Sequence, residues 1–137
     1  MMSEIYQVSQ EGVIFDAENN LKWLVGPDKD INHYDAERWV ENLTVAGGKW
    51  RLPTIAELHT LYQRGVGKCN VDPLFNISLI YLWVWSSELL DKNNKLSEDN
   101  NSPRVRNLYF RDGLDYWNYR DRDSRVFAVR SKGKNNK

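Results

Sequence analysis

The chain has 137 residues, 41% of them hydrophobic and 28% charged, and its formal net charge is zero. That size fits one domain with an ordinary core, and the composition does not read as disordered. No stretch approaches the roughly 18 apolar residues of a membrane span. The lone cysteine, Cys69, excludes an intrachain disulfide, and a domain that is not basic overall argues against generic nucleic-acid binding.

Residues 1–10 lack a basic start followed by an apolar run, so they do not read as a signal peptide. With the single cysteine, this leads to the expectation of a cytoplasmic protein, with export by a non-classical route left open. Charge is uneven along the chain. Residues 1–103 hold 9 Lys+Arg against 15 Asp+Glu, and residues 104–137 hold 10 against 4. The basic end could attract an anionic partner, or the two halves could neutralise each other on the folded surface.

In chain order, residues 12–25 read as a hairpin. Val13 and Phe15 alternate with Ile14 and Asp16, Leu21, Trp23 and Val25 alternate with Lys22 and Leu24, and the Asn-rich residues 17–20 suit a tight turn. After a polar loop at 27–30, Asn32 caps a first helix with Asp35 three residues on. Ala36, Trp39, Val40 and Leu43 form its buried face, and Gly47 and Gly48 end it. Residues 50–53 are extended, since proline biases Leu52 away from helix. Thr54 and Glu57 form a capping box for a second helix running to about Arg64, with Ile55, Leu58, Leu61 and Tyr62 apolar.

Residues 66–79 look irregular. Residues 81–87 read as a strand apolar on both faces, as in a central, covered position. Residues 91–103 form a long polar loop of the kind that often carries function. Strands follow at 104–110, 116–119 and 125–131, with a turn at Asp112-Gly113, Phe127 and Val129 facing the core, and a polar tail at 132–137. The segregated elements predict one α+β domain over 1–137 with its core at about 12–131: two helices packed on small antiparallel sheets, with a long irregular loop.

Four blocks carry a family resemblance. They are residues 12–23 ending in Leu21-Lys22-Trp23; the first helix with Gly47, Gly48, Trp50, Arg51, Leu52, Pro53, Thr54, Glu57 and Leu58; residues 83–87; and residues 109–113 with 127–130. The Trp-Arg-Leu-Pro-Thr-x-x-Glu-Leu stretch is the specific one. Together they resemble the bacterial DUF1566 family, and the resemblance implies a C-type-lectin-like fold. Many members carry a cysteine in the first helix and another in the last strand. Val40 and Ala128 stand at those positions here, which suits a reducing environment and weakens any carry-over of an extracellular adhesin role.

Candidate chemistry is sparse. His33 and His59 lie on the helices without a nucleophile motif, and surface or rim packing is their ordinary reading. Zinc spacing is absent. Asp91, Glu98, Asp99 and Asn100 offer oxygen ligands of the kind calcium takes, but a solvated loop is the simpler reading. The resembled fold is shared by formylglycine-generating enzymes, but a lone Cys69 does not support their chemistry. No cofactor or metal is expected. Arg51 is expected to clamp structure through carboxylate or carbonyl partners, Glu57 among them.

The densest binding chemistry is residues 111–125, rich in aromatics and arginine. Alternation puts Tyr116 and Asn118 on one face and Trp117 and Tyr119 on the other. The candidate ligand-binding residues are Arg106, Arg111, Asp115, Tyr116, Trp117, Tyr119, Arg120 and Arg122. The expected function is a non-catalytic lectin-like module for a glycan or protein ligand, anionic ones included, with no membrane insertion. The alternatives are an assembly subunit that homo-oligomerises through the aromatic face, or an uncharacterised enzyme.

Overall fold

The computed structural model describes residues 5–77, 79–90 and 104–132. The polar loop at 91–103, with its candidate calcium ligands, and the tail beyond Lys132 lie outside the described residues. The fold is α+β. Strands β1 (Tyr6–Val8), β2 (Ile14–Asp16), β3 (Leu21–Val25) and β9 (Phe127–Ser131) form one antiparallel sheet in that order. Strands β5 (Trp83–Leu89), β6 (Arg104–Tyr109) and β7 (Leu114–Tyr119) form a second, and the short β4 (Ile31–Asn32) and β8 (Asp123–Ser124) pair as a third. The helices are α1 (His33–Glu41) and α2 (Ile55–Leu61).

Local chemistry explains most of these boundaries. Buried Asp16 accepts from the Glu18 N–H at 3.0 Å, the Asn19 N–H at 3.1 Å and Asn19 Nδ2 at 2.9 Å, closing the β2–β3 turn. Asn32 Oδ1 takes the Asp35 N–H at 2.8 Å as the cap of α1. Thr54 and Glu57 exchange both bonds of the capping box on α2. That helix stops at Leu61, short of Arg64, because Tyr62 turns to an extended backbone. Asn70 then takes the Gln63 N–H on its carbonyl at 2.7 Å and the Gly65 N–H on Oδ1 at 2.8 Å.

The core has two lobes. In the first, Ile14, Trp23, Phe127 and Val129 meet Ile55, Leu58 and Leu61 of α2 and Val84 and Leu108 of the second sheet. In the second, Ala36 and Val40 of α1 meet Trp50, Leu52, Trp85, Val105, Val126 and Ala128. Each fully buried large side chain contributes roughly 1.5–3 kcal/mol over its exposed state. Val40 and Ala128, the positions of the two missing cysteines, both belong to the second lobe. β9 divides the lobes: Phe127 and Val129 face one, and Ala128 faces the other.

Two expectations need correction. β5 is covered on both faces as expected, Val84 in the first core lobe and Trp85 in the second, but it lies at the edge of its sheet rather than at its centre. Its outer edge is closed by Arg125, which donates to the Trp83 carbonyl at 2.8 Å and accepts the Trp85 N–H at 3.0 Å. The core also reaches back beyond residue 12: Tyr6 of β1 is buried, edge-on to Phe75 at 5.5 Å. Three residues of β1 are too few to show a period in the sequence.

Candidate functional site

The β5-β6-β7 sheet presents two faces, set by its register. Trp83 pairs with Tyr109 and Trp85 with Asn107, while Asn107 pairs with Tyr116 and Val105 with Asn118, so all of these share one face. Arg104 pairs with Tyr119 and Arg106 with Trp117 on the other, as the alternation predicts. Each face is half covered. On the first, Trp85 and Val105 are buried in the second core lobe. On the other, Val84 and Leu108 are buried in the first. What remains open is a different set of side chains at opposite ends of the sheet.

The first face opens into a depression of about 230 Å³ lined by Trp83, Asn107, Asn118, Arg122, Asp123 and Ser124. Trp83 is its aromatic wall. The indole is stacked on Tyr109 (4.1 Å between centroids, 13° between planes) and tilted against Tyr116 at 5.4 Å, so two neighbouring rings fix its plane. The floor is an amide relay. Asn118 Nδ2 donates to Asn107 Oδ1 at 2.7 Å, and Asn107 Nδ2 donates to Ser124 Oγ at 3.0 Å. An amide oxygen accepts and a hydroxyl can still donate after accepting, so Asn118 Oδ1 and the Ser124 O–H retain capacity for a ligand. Exposed Arg122 and Asp123 stand at the rim with opposite charges.

The opposite face is tied within itself. Arg104 lies over the Tyr119 ring at 4.6 Å and donates to its hydroxyl at 3.0 Å. Arg106 lies over Trp117 at 5.0 Å, with Glu88 Oε1 3.5 Å and Asp115 Oδ1 3.4 Å away. The last distance is an ion pair rather than a hydrogen bond: Arg106 Nε, like Arg104 Nε, is buried without a hydrogen-bond partner among the described residues. Asp115 also meets His59 Nε2 at 3.0 Å. Arg104 is thus engaged by a ring and its hydroxyl, and Arg106 by a ring and two carboxylates.

The eight candidate residues therefore separate. Tyr116 and Arg122 belong to the pocket side, although the Tyr116 hydroxyl is tied to Asp112, a bond that pushes its phenol pKa upward. Arg106, Asp115, Trp117 and Tyr119 lie on the opposite face. Arg111 is exposed and lies over Tyr81 at 5.0 Å, outside the pocket lining. Arg120 is a correction. Its side chain is only 14% exposed, bonded to Glu37 and to His33, and placed over Tyr34 at 4.0 Å. It joins structure to structure.

Sequence reading missed Trp83, Asn107, Asn118, Asp123 and Ser124 as lining. Trp83 was hidden by the apolar run around it. The polar Asn107 inside a strand was a signal, because a buried amide needs partners. The charge split is resolved by pairing across the chain: Arg106 meets Glu88, Arg120 meets Glu37, and Arg125 meets Asp28 at 2.7 Å and Asp30 at 3.0 Å.

A larger depression of about 410 Å³ lies between the first sheet and the 74–77 turn, lined by Val8, Ile14, Val25, Leu74, Phe75 and Phe127 among others. Its charged residues, Asp28 and Arg125, are paired with each other, although the Asp28 side chain stays exposed.

The remaining reactive side chains are enclosed or paired. His33 is wholly buried, correcting the expectation of rim packing, and burial pushes its pKa down. Cys69 is buried, and burial pushes its thiol pKa up, against thiolate formation. Arg51 clamps Glu57 as expected, at 2.8 and 2.7 Å, although its side chain is 46% exposed. Among the described residues, no three His, Cys, Asp or Glu gather as a metal site, and no helix is long and apolar enough to cross a membrane.

No curated protein matches the chain significantly. The family model of the Lcl C-terminal domain matches residues 12–130, nearly the whole described core. The Trp-Arg-Leu-Pro-Thr clamp, the capped helices and the late strands all fall within that match, and the chain belongs to the Lcl C-terminal domain (DUF1566) family.

Proposed function

We propose that this domain is a non-catalytic, lectin-like recognition module that holds one ring of a glycan against Trp83. The observation that carries the reading is the pocket itself: a fixed indole wall facing an amide floor with unsatisfied hydrogen-bonding capacity, and a charged rim. Sugars offer an apolar face to an aromatic ring and hydroxyls to amides and carboxylates. The volume of about 230 Å³ falls below the roughly 300–1,000 Å³ of pockets that engulf a drug-sized ligand. It suits a ring laid against a wall. Arg122 makes a carboxylated or sulfated sugar a natural member of the ligand class. Buried His33 and Cys69, and His59 engaged by Asp115, favour binding over catalysis. The replacement of both family cysteines by Val40 and Ala128 suits a reducing compartment such as the cytoplasm.

An array of neutral and acidic saccharides tests this. The expected result is selective binding that shifts the Trp83 indole and Asn118 side-chain resonances. Binding that moves only the Arg104–Tyr119 side, or a blank array, would overturn it.

A second reading is homo-oligomerisation. It is favoured by β7 lying at an open sheet edge beside exposed Leu114, 57% accessible, with Tyr81 at 61% and Ile80 at 55% elsewhere on the surface. Light scattering at high concentration separates the two, since a strict monomer counts against assembly.

A further inference from the structure

His33 opens α1 where that helix meets the segment that becomes the pocket rim. Its ring is wholly buried, edge-on to Trp85 at 5.3 Å. Nε2 lies 3.0 Å from the Ser86 carbonyl, which can only accept, so Nε2 carries the hydrogen. Nδ1 is then the bare nitrogen, and it accepts the Arg120 Nε–H at 3.1 Å. The His33 backbone N–H donates in turn to the Arg120 carbonyl at 2.9 Å. One residue thus grips Arg120 by both its backbone and its side chain.

Arg120 directly follows β7 and leads into Arg122, Asp123 and Ser124, half of the pocket lining. The pairing of Ile31 with Ser124 and Asn32 with Asp123 places that rim against the two residues preceding His33. The rim is therefore seated by the same short segment that carries the imidazole.

We propose that His33 and Arg120 form a proton-sensitive latch: neutral His33 holds residues 120–124 in place, and protonated His33 releases them and loosens the pocket. A proton on Nδ1 would set two donors 3.1 Å apart and place two cations in contact in a buried site. The groups facing the ring are few. Glu37, from the same helix, has Oε2 3.9 Å from Nδ1; Arg120 comes from the β7–β8 segment; β5 supplies the Ser86 carbonyl and the Trp85 ring. Glu37 supplies the alternative state. It now binds Arg120, and an imidazolium would compete for the same carboxylate. Burial, together with Arg120, outweighs Ser86 and Glu37 and keeps the ring neutral below the usual histidine range.

The sign follows from linkage. With the folded-state pKa lowered, the unfolded chain binds the proton first. Stability is full above the ordinary value of about 6.5 and declines as pH falls toward the folded value.

The latch rests on the pocket reading only for its effect on ligand. The test therefore uses the free chain, following amide exchange and chemical shifts of residues 120–124 by NMR while the His33 ring is titrated. The expected result is a roughly tenfold loss of protection of those amides, relative to the intrinsic exchange rate at each pH, with the midpoint of His33 and with α2 unchanged. His33→Gln supplies a donor and an acceptor without a titrating proton, so it should hold the rim and abolish that midpoint. Should His33→Gln not fold, Arg120→Gln should raise the His33 midpoint toward its ordinary value and uncouple it from the rim. An unmoved rim, a midpoint that persists in His33→Gln, a His33 that does not titrate before the domain unfolds, or an unshifted His33 midpoint in Arg120→Gln each overturns the latch. A blank saccharide array would refute the pocket reading and leave these measurements standing.

Discussion

Arg51 and Glu57 meet fork to fork at the start of α2, Nη1 to Oε1 at 2.8 Å and Nη2 to Oε2 at 2.7 Å, while Oε1 also takes the Thr54 N–H at 2.9 Å. One carboxylate thus serves the clamp and the capping box together. Burial raises the Glu57 pKa, but the bonds from Arg51 and Thr54 outweigh it and leave the group below its usual value. Glu57→Ala should cost about 1–2 kcal/mol at neutral pH, the worth of a helix cap plus a half-exposed ion pair. The contribution is present above the ordinary glutamate value of about 4.3 and lost as pH falls through the folded value. Urea midpoints of wild type and Glu57→Ala should therefore converge in acid, and a constant gap would contradict the account.

Face-selective substitutions test the site. Asn118→Ala and Tyr116→Ala should weaken the saccharide chosen on the array roughly tenfold with the far-UV circular dichroism unchanged. Asn118→Ala should also cost about 1 kcal/mol, because Asn107 Oδ1 loses its donor. Trp117→Ala removes an aromatic from the opposite face and should leave affinity intact. Isothermal titration of the three variants decides, and equal loss in Trp117→Ala would move recognition to the other side of the sheet.

The β6–β7 turn should be intolerant of any side chain at Gly113. Its φ is +73°, and an added Cβ would lie 2.7 Å from the Tyr62 ring. That ring packs against the first core lobe, tilted over Phe110 at 6.4 Å, so it cannot swing away freely. Gly113→Ala should destabilise by roughly 1–3 kcal/mol, read as a lowered urea midpoint. Pairing it with Tyr62→Ala should give less than the sum of the two single losses, because the clash disappears.

Trp23 is the largest side chain in the first core lobe, with Phe75 and Phe127 both edge-on at 6.3 Å. Trp23→Ala should cost about 3–5 kcal/mol by cavity formation. Trp23→Phe should cost far less, because it keeps an aromatic ring and deletes an indole N–H that has no partner. Similar losses in calorimetric melts of the two variants would imply a bonded N–H.

Local signals carried the sequence reading a long way. The capping pairs Asn32–Asp35 and Thr54–Glu57, the Asn-rich turn at 17–20 and the alternation of Tyr116 with Trp117 all reappear, because each depends on residues a few positions apart. The end of α2 was misplaced at Arg64 because Asn70, eight residues beyond Tyr62, competes for the backbone there.

Composition and short-range pattern determined on their own that this chain folds as α+β with two capped helices, and the Trp50–Leu58 stretch marked its family. Tertiary structure alone decided which aromatics and arginines remain open to a ligand. Arg120 was withdrawn by His33 and Glu37, and Arg106 by Glu88 and Asp115, while Trp83, Asn107 and Ser124 were brought together from three separate strands. The physical reason is range: caps and alternation act within a turn or a strand, whereas burial and ion pairing depend on partners tens of residues away that no local period records.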